Sequence, residues 1–295
     1  MKYYLSAITG FAIWGTFALV LKPLSAFPSI DILIYRVSYA TVCIILASLL
    51  FRRKQTFESI AKIKQMPRPE LLSWILNLLM SALTLSLNWF LFIYVMNAIS
   101  VNATSLAYLI CPILTTFLAA VFLKEKLNKG QWFAVFLSLV SCLILAYGHF
   151  IDLFYSMVIA LSYAIYLVLQ KNKFDVDRFF TLTIHITAGA IFLIPAFLLM
   201  EQPTEKTPVF HVLILVIAVF YTIIPLFLNI YALKKLSSSV VGTLLYLNPV
   251  ISFLLAVLYY NEAINTAQII GFSLIVIAVF IFNFAYFKAQ KGYVE

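Results

Sequence analysis

Apolar residues gather along the chain into ten runs of about 20 residues, the length that crosses a bilayer as one helix. The first five lie near Tyr3–Leu21, Ile32–Phe51, Leu71–Val95, Ala103–Leu123 and Gln131–Tyr147. The second five lie near Leu153–Leu169, Phe179–Met200, Val209–Leu233, Ser239–Tyr259 and Ala267–Phe287. The pattern predicts an all-α polytopic membrane protein with ten transmembrane helices. The first run follows Lys2, as in a signal peptide, but no A-x-A cleavage site succeeds it and nine more spans do, so it reads as the first helix.

Polar residues interrupt the spans at helical spacing. The third carries Asn77, Ser81, Thr84 and Asn88 on one face, the fourth Ser105, Tyr108, Pro112 and Thr115, and the eighth Tyr221, Pro225 and Asn229. The ninth carries Thr243, Tyr246, Asn248 and Ser252, and aromatics with polar tips accompany these stripes: Trp14, Trp89, Tyr94, Tyr163 and Tyr166. Singly, such residues serve as hydrogen-bonding glue between helices. Taken together, from both halves of the chain, they predict a wet central cavity. Pro112, Pro225 and Pro249 fall inside spans, where each removes a backbone donor and favours a kink, read either as hinges beside a site or as static bends. His185 lies in the seventh span, either as a packing residue or as a proton relay.

Arg36 raises the sharpest question. A guanidinium near the bilayer centre costs from about 3 to more than about 10 kcal/mol depending on the reference. It sits about 8 Å below Asp31 along the second helix. One reading is snorkelling to the outer headgroups. The other is a cavity-facing cation that attracts a carboxylate of the substrate, with Lys22 adding to the same field.

Composition secures the solvent. The chain of 295 residues is 64% hydrophobic and 11% charged, with mean hydropathy +1.05, against about 25% charged residues in soluble domains. The three cysteines, Cys43, Cys111 and Cys142, sit in apolar runs without metal or disulfide spacing, so no metal and no cofactor is expected. The net charge of +9 would fit nucleic acid, but the basic residues fall in clusters between spans. With the N-terminus inside, 17 of the 20 Lys and Arg residues lie in inner segments; Lys22 and Lys206 lie outside and Arg36 within its span. That bias predicts that both termini are cytoplasmic.

The chain also repeats itself. "YLICPILTTFLAAVFLKEKLNKGQW" and "LYLNPVISFLLAVLYYNEAINTAQI" align at an offset of 137, matching Pro112 with Pro249, Glu125 with Glu262, Asn128 with Asn265 and Gln131 with Gln268. Residues 1–148 and 149–295 thus form two five-helix units, and five being odd, the units are inverted relative to each other. Inverted repeats are the architecture of secondary transporters, with the site between the units.

The paired P-x(12)-E segments resemble the EamA-type drug/metabolite transporters, and within them the RarD-like group. So do "FAIWG" at 11–15, "DILIYRVSY" at 31–39, "NWFLFIYVMNA" at 88–98, "SLAYLICPI" at 105–113 and "FLKEKLNKGQWFAV" at 122–135. The likeness spans nearly the whole chain, although "YYNEAINTAQ" lacks the Gly-Glu pair common in the second-half loop. It implies a central cavity lined from both halves and export of amino acids or related metabolites. The expected function is a permease of the bacterial inner membrane, exporting small carboxylate-bearing or amino-acid-like compounds, or drugs, by alternating access. Its partners are a small-molecule substrate and the lipid bilayer, not nucleic acid; monomer and homodimer are both open. The candidate substrate-binding residues are Trp14, Arg36, Asn88, Trp89, Tyr94, Tyr108, Tyr163, His185, Asn229, Tyr246 and Asn248. A passive channel or scramblase is the alternative. An intramembrane enzyme is disfavoured because HExxH, GxSxG and paired intramembrane acids are missing.

Overall fold

The computed structural model describes residues 1–98, 101–147, 150–171, 174–198, 206–261 and 264–291, so Glu262, His149 and Lys173 lie outside the described residues. Among those described there are α-helices and no strand. The first half comprises α1 (Lys2–Gly15), α2 (Ala18–Leu21), α3 (Ser29–Phe51), α4 (Arg53–Gln65), α5 (Arg68–Ala98), α6 (Val101–Phe122) and α7 (Lys129–Leu145). The second comprises α8 (Phe150–Leu169), α9 (Arg178–Leu198), α10 (Pro208–Ala218), α11 (Ile224–Leu233), α12 (Ser238–Leu244), α13 (Leu247–Leu258) and α14 (Thr266–Lys291). Eight stretches are long and apolar enough to cross a membrane, three of them assembled from consecutive pieces: Lys2–Leu24, Pro208–Leu233 and Ser238–Leu258. The shorter apolar stretches Leu106–Phe122 and Lys129–Leu145 bring the number to ten. Large apolar side chains such as Leu50, Phe122, Ile151, Leu258 and Phe280 stand exposed on the outside, tolerable only where lipid is the solvent.

Both termini of the described chain lie at one end of the bundle, since the Tyr4 ring is 5.1 Å from Phe287 and Tyr3 is 4.9 Å from Tyr231. We call this the terminal end and the opposite one the far end. At the terminal end α4, a polar helix that hydropathy conceals within a basic connection, is tied to the α8–α9 connection: Lys62 pairs with Asp175 at 2.6 Å and Arg52 with Asp177 at 2.9 Å.

Several breaks follow from proline. Pro225 has no N–H to give the Tyr221 carbonyl, and between α10 and α11 the chain widens into a π-helical turn, Val219–Ile223. Pro249 likewise deprives the Leu245 carbonyl, and the chain steps from α12 to α13 there, Asn248 N–H donating to Leu245 instead at 3.0 Å. Pro112, its counterpart in the repeat, sits inside an unbroken α6.

The repeat is visible in local geometry. Lys124 and Asn261, 137 residues apart, share left-handed backbone at φ 55° and 54°. Each is followed by a reciprocal capping box, Asn128 with Gln131 and Asn265 with Gln268, in which each side chain accepts from the other's backbone N–H. Close helix crossings use small residues: a Cβ on Gly242 would meet Thr115 Cγ2 at 2.8 Å, and one on Gly15 would meet Ile251 Cβ at 2.6 Å.

Candidate functional site

A cavity of about 820 Å³ enters the bundle from the far end. Its wall includes Leu21, Tyr147, Asn265 and Gln268, which stand at the far-end limits of their helices, and it descends to Tyr163, Leu226 and Asn248. Eight of the expected residues line it: Trp14, Arg36, Asn88, Trp89, Tyr108, Tyr163, Asn248 and Pro249. They come from both halves of the chain.

Arg36 reaches this space rather than the headgroups. Its guanidinium carbon lies 5.6 Å from the Trp89 ring and 5.7 Å from Phe17, a sleeve of two aromatic faces. Its Nε donates to Thr222 Oγ1 at 2.7 Å, and among the described residues no carboxylate pairs with it. Thr222 is held in turn, donating to the Ile217 carbonyl five residues back at 3.1 Å, the spacing of the π turn. The carbonyl that Pro225 leaves free, that of Tyr221, accepts from Trp14 Nε1 at 2.8 Å. One proline thus organises both the threonine that orients Arg36 and the anchor of Trp14. At the mouth, Lys22 lies 3.5 Å above the Tyr260 ring and adds positive charge.

Thr222 escaped the sequence reading. In an α-helix it lies three residues before Pro225 and seven before Asn229, on the same face, and a lone threonine there reads first as hydrogen-bonding glue between helices. The available signal was its place three residues before a mid-span proline.

The stripe on α5 is mostly glue. Asn77 Nδ2 donates to the Leu169 carbonyl at 3.1 Å, and Ser81 accepts from Gln170 Nε2 at 2.9 Å. Asn88 Nδ2 donates to Ile159 O at 3.0 Å and to Ser162 Oγ at 3.2 Å while bordering the cavity.

Other expected site residues are not on its wall. Tyr94 is 51% exposed on the outside, stacked on Phe90; six residues beyond Asn88, it points about 240° away around the helix. His185 is fully buried with neither nitrogen bonded, edge-on to Tyr166 at 5.9 Å. Asn229 is buried beneath the cavity floor, its amide beside the Tyr163 hydroxyl without closing a hydrogen bond. Tyr246 borders a void of about 10 Å³ with Pro112 and Ser138. Pro225 lies beside the cavity lining without joining it. The Ser105 side chain is outside the described residues.

At the terminal end the two halves are laced together. The Glu125 carboxylate, from the α6–α7 connection, accepts from the backbone N–H groups of Ser238 (2.7 Å) and Ser239 (3.0 Å) and from Ser239 Oγ (2.5 Å). Within the second half, Lys171 donates to the carbonyls of Leu233 (2.9 Å) and Leu236 (2.5 Å). Burial holds the Lys171 ammonium below the ordinary lysine range; Glu125 opposes the shift, and Arg178 and Lys235 reinforce it. Asp31 and Lys206 form a buried ion pair nearer the far end.

A lipid-facing helical bundle with an aromatic cavity fits what is similar to it. The EamA-like transporter family matches residues 1–147 and again 151–284. An uncharacterized transporter of Vibrio cholerae is 33% identical across 98% of this chain and 94% of its own. The uncharacterized transporter YojE of Bacillus subtilis is 29% identical across 96% and 93%. Protein RarD of Escherichia coli is 27% identical across 94% and 92%. One solved crystal structure superposes with TM-score 0.75 at 17% identity over 95% of each chain, which concerns the fold alone. With its two family segments covering nearly every residue, the chain belongs to the EamA-like transporter family.

Proposed function

We propose that the protein is an alternating-access carrier that exports small carboxylate-bearing metabolites, amino-acid-like compounds among them, across the bacterial inner membrane. Its halves, 1–148 and 149–295, rock about the cavity, with the terminal end facing the cytoplasm as the Lys and Arg bias requires. The observation that carries this reading is a guanidinium in a far-end cavity with aromatic walls and, among the described residues, no carboxylate paired with it. Its Nε is fixed by Thr222, so the remaining N–H groups are placed for a bidentate carboxylate. Trp14, Trp89 and Tyr108 supply the apolar wall against which the rest of a small organic acid packs. Asn88 and Asn248 offer amides to its polar substituents. Pro225 and Pro249 stand where the second half changes helix geometry, as hinges beside the site require. Export, as opposed to uptake, follows from the resemblance. A passage closed at the terminal end supports a carrier over an open channel.

The test is ligand-induced thermal stabilisation of the purified protein across L-amino acids and C3–C6 mono- and dicarboxylates, followed by counterflow in proteoliposomes. At least one carboxylate is expected to raise Tm in the parent, and Arg36→Gln is expected to abolish that rise while remaining folded. Thr222→Val weakens the same binding about tenfold through loss of one hydrogen bond to a charged group, and Thr222→Ser restores it. Equal stabilisation of the parent and Arg36→Gln by every carboxylate sinks the proposal.

A further inference from the structure

Between the cavity floor and the terminal end lies a group of poorly satisfied polar side chains. The Tyr166 hydroxyl and both ring nitrogens of His185 are buried and unbonded, and beside them the Tyr163 hydroxyl and the Asn229 amide face each other without closing a hydrogen bond. Tyr163 stacks on Tyr166 at 5.8 Å and Tyr166 meets His185 at 5.9 Å. The row therefore runs from the cavity wall toward the terminal ends of α8, α9 and α11. Ser238 Oγ, at the start of α12, is also buried and unbonded. Leaving a polar group dry and unpaired is costly, and a fold rarely does so repeatedly in one place without reason. Water or a polar solute entering from the terminal end would satisfy them all. At the terminal end, the Glu125 carboxylate bridges from one half to the other by three hydrogen bonds to Ser238 and Ser239.

We infer that Tyr163, Tyr166, His185 and Asn229 form the terminal-end half of the translocation path, collapsed in this structure, and that Glu125 on Ser238 and Ser239 is the gate that shuts it. The inference rests on the carrier reading but names a different part of the protein. Opening requires that the Glu125 carboxylate exchange three protein donors for water, while the orphaned groups above gain water or solute partners. The losses at the gate and the gains in the vestibule oppose each other, which keeps the two conformations close in free energy. The vestibule holds hydroxyls, an amide and an imidazole but no fixed charge. It therefore suits transient contact with a polar solute already released from Arg36, not tight retention of an anion.

The experiment measures accessibility and needs no knowledge of the substrate. In a full-length protein whose Cys43, Cys111 and Cys142 are replaced by alanine, Asn229→Cys is introduced as a vestibule probe, with His185→Cys as a second probe in case the first fails to fold. Ser252→Cys reports on the far-end cavity. Oriented proteoliposomes are treated from either face with a membrane-impermeant methanethiosulfonate. With Glu125 intact, vestibule labelling from the terminal-end face is slow. With Glu125→Gln it is expected to rise about tenfold or more, and with Ser239→Ala, which removes one of the three donors, by a smaller factor. Far-end labelling of Ser252→Cys is expected to fall in parallel. Unchanged terminal-end labelling in both gate variants overturns the gate. A rise at the terminal end without a fall at the far end upholds the gate but makes it the gate of a continuous pore, so failure of the carrier reading is told apart from failure of this one.

Discussion

The connections α6–α7 and α13–α14 have the same local architecture and opposite circumstances. Both place a left-handed residue, Lys124 or Asn261, ahead of an Asn/Gln capping box. The first is fastened: Glu125 reaches α12, and Asn128 Nδ2 donates to the Ala285 carbonyl at 3.0 Å. In the second, the described Asn265 and Gln268 stand on the wall of the cavity at the far end. Local sequence therefore sets the turn, whereas the partner across the bundle sets what the turn does.

The comparison breaks most severely at Gly242, where α12 crosses α6 beside the fastened end. Gly242→Val would push a branched side chain into Thr115, which a bare Cβ already meets at 2.8 Å. It is expected to cost about 1–3 kcal/mol, seen as a lowered Tm in detergent. The capping boxes give a finer test. Asn128→Ala and Asn265→Ala each remove a helix cap worth about 1 kcal/mol. The former also loses the bond to Ala285, a further amount of about 1 kcal/mol, so it should lower Tm more; equal losses would deny that the fastened turn is tied across the halves. Smallest is the effect at the left-handed residues. Lys124→Gly relieves a backbone conformation that costs lysine about 1 kcal/mol and should raise Tm slightly. Asn261→Gly should change little, because asparagine tolerates this region.

Much of this was legible in the chain. The ten spans are there because hydropathy over about 20 residues reports directly on what lipid will accept. Arg36, Trp14, Asn88, Trp89 and Tyr108 could be gathered as cavity candidates because polar and amphipathic groups are expensive on the lipid side. Depth and rotation were harder to read. His185 and Asn229 are as polar as Asn88, yet they lie beneath the cavity floor, and no sequence pattern says which end of a bundle is closed. Tyr94 lies close to Asn88 and Trp89 in sequence but on another face of α5. The α4 helix is invisible to hydropathy because its polar face meets charged partners, Asp175 among them, rather than lipid. Thr222 shares a helical face with Asn229, seven residues on, but a single threonine in a span does not stand out from the glue between helices.

That last residue carries a wider lesson about span length. A π turn holds one residue more than the α-helix it interrupts. A chain one residue shorter between Val219 and Ile223 would still yield a lipid-soluble rod of nearly the same hydropathy, with both flanking segments free to face as they do now. What it would lose is the five-residue spacing by which Thr222 Oγ1 reaches the Ile217 carbonyl. Counting residues between two apolar faces, and not only weighing them, is therefore a way to tell relatives that keep this support of Arg36 from relatives that have given it up.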